Sequence, residues 1–331
     1  MTRNILAETS GRRTASDIED PLITRISNET GIMTLTEHRI FPGIELIYND
    51  VHLQTCQTEK PGDRNILEIN HCLEGRIEHE ISGEFLYLSE GDLSICLRSD
   101  RGHISYYPIS RYHGVTISID LDTAPQCVAC FLQDVNVEPA QLAGKFCSEN
   151  RFFIMRANPQ LEHIFSELYS VPESIKKGYL KVKVLELLLF LSAIDTSEAD
   201  HARHSYASTQ VILAKKVCAY LCSNMDSRMT IDELSEKFHA SPTQIKNSFK
   251  GVYGMSIYAF TRTQKMRAAA LDLKNTDSTV LEIAGRYGYD NASKVAKAFR
   301  DCIGMTPVEY RNSAFSPEQV GPENGVFWDQ D

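Results

Sequence analysis

Two short runs of polar side chains, fifty residues apart, carry the most suggestive chemistry in this sequence. Thr243, Lys246 and Asn247 form the first run; Ser293, Lys294 and Lys297 form the second. Hydroxyl, ammonium and carboxamide groups are the donors and acceptors that read base edges in a DNA major groove, where asparagine can engage adenine through two bonds. Around them stand groups suited to phosphate oxygens: Ser241, Lys250, Arg262, Lys265, Arg267, Asn291 and Arg300. Other chemistries find less support. No run resembles an activated nucleophile, a phosphate loop or a dinucleotide fingerprint. Cys127 and Cys130 have CxxC spacing but lack the second pair that a zinc site needs. His71, His79, His103 and His113 are available to a different metal site, although strand histidines are more often satisfied by ordinary hydrogen bonds. The expectation is no catalytic residue, no metal and no cofactor.

The polar runs need helices to present them, and the local sequence supplies the signals. Thr230 with Glu233 is a capping box ahead of apolar Ile231, Leu234 and Phe238, and a turn follows at His239 and Ala240. Ser241, Pro242 and Gln244 then start a second helix, because a serine cap, a proline and a glutamine each satisfy or dispense with an unpaired amide. Ile245 and Phe249 form its buried stripe. Helical geometry therefore turns Thr243, Lys246, Asn247 and Lys250 to another face. The pattern recurs. Gly254-Met255-Ser256 returns as Gly304-Met305-Thr306, Phe249 as Phe299 and Lys250 as Arg300, while Thr279 and Glu282 repeat the capping box. In the second unit Gly288 suits a left-handed turn, and Asp290 or Asn291 can cap the following helix.

From about Gln210 to Asn312 the chain resembles the DNA-binding domain of AraC-type (arabinose-regulator) transcription factors. The most specific stretches are Ile283-Ala284-Gly285-Arg286-Tyr287-Gly288-Tyr289, Ala298-Phe299-Arg300 and Gly304-Met305-Thr306-Pro307-Val308-Glu309-Tyr310-Arg311. The resemblance implies two helix-turn-helix units joined by a long helix, here about Ser256 to Lys274, that enter successive major-groove segments on one DNA face. It places Thr243, Lys246 and Asn247 at base-reading positions of the first unit, and Ser293, Lys294 and Lys297 at those of the second. Arg262, Lys265 and Arg267, on the joining helix, fall to the DNA backbone. In the family's second unit an aromatic usually follows the serine and an arginine precedes the Phe-Lys pair; Lys294, Lys297 and Ala298 stand in that region here.

Between Ile40 and Ile119 short apolar alternations are separated by glycines and acidic turns, as in Ile77 to Ile81, Phe85 to Leu88 and Leu93 to Leu97. Such spacing favours an antiparallel barrel or sandwich. Glu68, Gly75 and Gly91-Asp92 resemble the pattern of a cupin barrel, which AraC-type regulators commonly carry as an effector-sensing domain. Cupin enzymes bind metal through paired histidines just ahead of that glutamate, where Pro61, Gly62, Asp63 and Arg64 stand here. Asn158 to Ile194 changes to helical periodicity broken at Val171-Pro172, which predicts two antiparallel helices packed on the barrel. The resemblance gives those helices a share in dimerisation.

Charge divides the chain in the same way. The 331 residues carry a formal charge of −10, yet residues 208–312 sum to +5 and residues 1–207 to −11. A basic DNA-facing part is thus carried by an acidic one. The expected fold is α+β in two domains. A flexible N-terminus (1–20), a cupin-like β-barrel (21–155), a helical dimerisation segment (156–195) and a linker (196–209) precede the tandem helix-turn-helix domain (210–312) and an acidic tail (313–331). No signal peptide or membrane span is read from the sequence, so a cytoplasmic location is expected. The expected function is a transcription regulator, activator or repressor, that binds double-stranded promoter DNA as a homodimer. RNA polymerase and a small-molecule effector in the barrel are its other expected partners. Two alternatives remain open, a cupin-like metal enzyme fused to a DNA-binding module and a barrel that serves only protein interaction.

Overall fold

The computed structural model describes residues 6–9, 21–57, 65–81, 83–98, 104–129, 135–148, 152–196, 205–227 and 229–313. The chain separates into two compact units, Met1–Ser205 and Tyr206–Asp331.

The first unit is built on antiparallel strands: β1 (Leu6–Thr9), β2 (Leu22–Asn28), β3 (Gly31–Phe41), β4 (Ile44–His52), β5 (Thr55–Gln57), β6 (Ile66–Gly75), β7 (Ile77–Ile81), β8 (Glu84–Leu88), β9 (Leu93–Leu97), β10 (Ile104–Tyr106), β11 (Tyr112–Asp120) and β12 (Phe153–Met155). One sheet runs in the order β1-β2-β3-β4-β11-β6-β9-β12, and another joins β8, β7, β10 and β5. The two sheets meet over an apolar layer that includes Met33, Val51 and Tyr112 from the first and Cys56, Ile77 and Leu88 from the second. No closed barrel is found among the described residues, where the strands form two facing sheets. Period-two alternation marks which side chains share a face but carries no information on whether the edges join.

The opposite face of the large sheet is covered by helices α1 (Pro139–Cys147), α2 (Pro159–Tyr169) and α3 (Lys176–Ala193). Ile44, Leu46, Ile69 and Ile117 from strands share one core with Leu142, Phe146, Phe165, Leu187 and Leu188 from helices. The break between α2 and α3 falls at Val171-Pro172, followed by a single 3-10 turn at Glu173–Ile175. Leu188 is fully buried and is no candidate for contact with a second copy, while Leu185 is half-buried against the core. The large side chains that α3 and its approach leave exposed are Ile175, Val182 and Leu189, at 52%, 62% and 43% of full accessibility.

The second unit is helical: α4 (Ser208–Ser223), α5 (Ile231–Phe238), α6 (Pro242–Tyr253), α7 (Ile257–Asn275), α8 (Val280–Arg286), α9 (Ala292–Ile303) and α10 (Pro307–Asn312). It begins ahead of the expected boundary. The Tyr206 ring occupies the space where a Cβ on Gly251 would lie, and α4 already starts at Ser208, so residues 206–209 belong to this unit and not to a linker. The expected flexible N-terminus, most of the linker and all of the acidic tail beyond Ser313 lie outside the described residues apart from β1.

Candidate nucleic-acid interface

Both helix-turn-helix units are built as their cap residues dictate. The Thr230 hydroxyl accepts from the Glu233 amide while the Glu233 carboxylate accepts from the Thr230 amide at 2.7 Å, which closes the capping box of α5. Thr279 and Glu282 repeat this at α8, again at 2.7 Å. The backbone bonds hold the Glu233 and Glu282 carboxyls below the usual carboxylate range. After α5 the chain turns through His239 in the left-handed conformation, φ +51°, a strained choice for a side-chain-bearing residue; after α8 Gly288 takes the same region at φ +75°. Ser241 then caps α6 by accepting from the Gln244 amide, with Pro242 at the first helical position. Asn291 caps α9 by accepting from the Ser293 amide at 2.8 Å.

These caps set the rotation of each second helix. Ile245 and Phe249 are buried in α6, and Val295 and Phe299 in α9. Thr243, Lys246, Asn247 and Lys250 are all exposed along α6, as are Ser293, Lys294, Lys297 and Arg300 along α9. Ala298, by contrast, is packed in the core beside Met266 and Tyr310. The long helix α7 binds the two units together. Its Phe260 packs edge-on against Phe249, with ring centroids 5.3 Å apart, and its Met266, Ala269 and Leu273 pack with Ile283 and Phe299.

Two of the expected backbone-contacting groups are occupied otherwise. Lys265 is buried, at 7% of full accessibility, and its ammonium donates to the Ser227 carbonyl at 3.2 Å. Burial pushes its pKa down, since desolvation penalises the charged form. Lys265 is therefore withdrawn as a phosphate contact. The resemblance gave it to the DNA backbone, but the loop after α4 closes over it through the Ser227 carbonyl. Arg262 forms an ion pair with Asp301 on α9, so its guanidinium is engaged within the fold. Arg267 is half-buried, and Ser241 and Asn291 use their side-chain oxygens as caps while remaining exposed.

A family model described as a helix-turn-helix domain matches residues 234–313, and one described as the regulatory protein PchR N-terminal domain matches residues 31–205. The chain belongs to the AraC-type transcriptional regulators. Among relatives of this AraC-type chain, the uncharacterized HTH-type transcriptional regulator YdiP of Escherichia coli (strain K12) is 34% identical over 112 residues, 33% of this chain and 37% of that protein. The chain thus spans little more than a third of the length of that relative. The C-terminal domain of AraT, a response regulator from Geobacillus stearothermophilus, is 25% identical with a TM-score of 0.30, over 31% of this chain and 90% of that one. Unsaturated fatty acid bound ToxT from Vibrio cholerae is 10% identical with a TM-score of 0.31, over 81% and 94%.

In the regulatory unit of this AraC-type chain the expected cupin glutamate, Glu68, accepts from Arg98 Nε at 2.8 Å and so serves an ion pair. The candidate histidines within the described residues, His71, His79 and His113, do not gather. His71 is buried and stacked on Phe165, His79 lies against Phe152 with centroids 4.6 Å apart, and His103 lies outside the described residues. Cys130 and residues 61–64 are outside them too. His113 instead meets two residues the sequence reading passed over, Asp50 and His52. Their shared strand face could have been suspected from the i, i+2 spacing of Asp50 and His52, but only strand pairing brings His113 to them. No helix among the described residues is long and apolar enough to cross a membrane.

Proposed function

We propose that the chain is a promoter-binding transcription regulator whose second unit reads double-stranded DNA and whose first unit carries regulation. The observation that carries this reading is the paired exposure of Thr243, Lys246, Asn247 and of Ser293, Lys294, Lys297 on two capped helices, in a unit of net charge +5. Those six side chains face the bases, and Ser241, Lys250, Asn291 and Arg300 face phosphates, with Arg267 beside them. Asn247 is the principal reader, because its carboxamide can donate to and accept from adenine at once.

The first unit is cupin-like in its facing antiparallel sheets and takes a small-molecule effector. A polar cavity of about 290 Å³, walled by Arg39, Glu45, Ser118 and Asp120, supports that assignment. Ile175, Val182 and Leu189 recur every seventh residue, the spacing of a helix seam, and this exposed stripe carries a homodimer contact. Regulation is by contact with RNA polymerase in the cytoplasm, as an activator and without catalysis of its own. Binding of the full chain to fragments upstream of its own gene and neighbouring genes tests the reading, measured across a salt series. Tight, steeply salt-dependent binding to one fragment supports it, because phosphate neutralisation releases counterions. Folded protein with equal, weak affinity for every fragment overturns it.

A further inference from the structure

We infer that the regulatory unit holds a divalent first-row transition ion between Asp50, His52 and His113. Neither the DNA-binding reading nor the effector cavity is needed for this inference. Asp50 and His52 alternate along β4 and so project from the same face of the sheet. His113, on β11, pairs directly with Asp50 in the strand register. That face carries Ile44, Leu46 and Tyr48 further along β4, where the helices cover it; at Asp50 the cover ends and the carboxylate is half exposed. His52 Nε2 lies 2.8 Å and His113 Nε2 2.9 Å from one and the same oxygen, Asp50 Oδ1. The three ligand atoms all fall within 4.8 Å of one another.

Both imidazoles lie within hydrogen-bonding distance of the Asp50 carboxylate, but the His113 contact is out of line. His113 Nε2 is closed off from solvent and, despite its proximity to Asp50, lacks the alignment of a hydrogen bond. An ion at the common focus would satisfy it. Adjacent ligands of a six-coordinate ion with bonds of about 2.1 Å lie about 3 Å apart, close to both observed separations. Two imidazoles and a carboxylate are a donor set that suits borderline divalent ions, and three protein ligands leave further positions to water or another ligand.

The backbone is also shaped at this point. The register of β11 against β6 shifts between His113 and Gly114, where Leu73 is the extra residue on β6, while β11 keeps unbroken register with β4. Gly114 permits the shift: a Cβ there would stand 2.4 Å from the His71 carbonyl oxygen and 2.7 Å from the Tyr112 hydroxyl.

The test uses Co²⁺ on the full, reduced chain, because its visible spectrum separates nitrogen and oxygen ligands from thiolates. The expected result is one Co²⁺ per chain with ligand-field bands and no sulfur charge-transfer band, displaced by Zn²⁺. Affinity should fall more than about 100-fold in His52→Ala and in His113→Gln, since loss of a partner one shell further out already costs about 10- to 100-fold. Binding unchanged in a folded His52→Ala variant overturns the proposal, as does a thiolate band on the single bound ion. No saturable binding overturns it too. If the variants fail to fold, carbethoxylation of the wild-type chain decides: Co²⁺ should protect His52 while leaving exposed His163 reactive, and equal modification of His52 with and without the ion refutes the site.

Discussion

Acidification should destabilise the regulatory unit through one side chain, His71. It is 4% exposed, lies flat on the Phe165 ring with centroids 3.9 Å apart, and neither ring nitrogen has a hydrogen-bond partner among the described residues. Burial lowers its pKa from 6.5 to about 4, because no group compensates the charge for lost water. The folded pKa is the depressed one. The contribution to stability is therefore complete above about pH 6.5 and is lost as pH falls toward about 4, where the folded state is at last protonated as well. Between those limits the full loss is on the order of 3 kcal/mol, and at about pH 5 it is already about 2 kcal/mol. Urea unfolding read by near-ultraviolet circular dichroism at about pH 7 and about pH 5 measures it, with His71→Phe as the reference that keeps the stack and removes the titration. Carboxylates titrate in both proteins, so the wild type should lose about 2 kcal/mol more than the variant. An equal loss in the two, or an NMR titration of His71 with a midpoint above about 6, would refute the reasoning.

Salt dependence separates the cations of the DNA-binding unit: Lys250→Gln should flatten the slope of log affinity against log salt by about 0.9, whereas Lys265→Met, at a buried position, should leave it unchanged. Fluorescence anisotropy over a salt series checks both slopes, and the reverse ranking sinks the assignment. On α3, joint replacement of Val182 and Leu189 by glutamate should give a folded monomer in sedimentation. Leu188→Ala should keep the dimer but lower unfolding stability by about 2 to 5 kcal/mol, because its side chain is fully enclosed. In a binding-selection experiment Asn247→Ala should relax one short element of the preferred site, at about 1 to 3 kcal/mol per base, and leave a second element about 10 base pairs away readable. If Asn247→Ala changes no position while Lys297→Ala erases an element, the main reader lies in the second unit.

The helix-turn-helix units were legible in the sequence because their information is local. Thr230 and Glu233, Ser241 and Pro242, and Asn291 each act within four residues, so caps, turns and helix rotation follow without knowledge of the rest of the chain. The same locality exposed the duplication. Burial of individual polar groups did not follow, since the fate of Lys265 depends on a carbonyl 38 residues away and that of Arg262 on Asp301, 39 residues on. In the first unit the period-two alternation located strands and the helical period located α2 and α3. It left open how the strands pair, which decides both that the sheets stay two and that His113 arrives opposite Asp50. Leu188 and Leu189 show the limit most simply: adjacent, identical side chains on one helix, the first sealed in the core and the second in solvent. Apolar type sets how much burial is worth, but only the packing of α3 on the sheet selects which leucine obtains it.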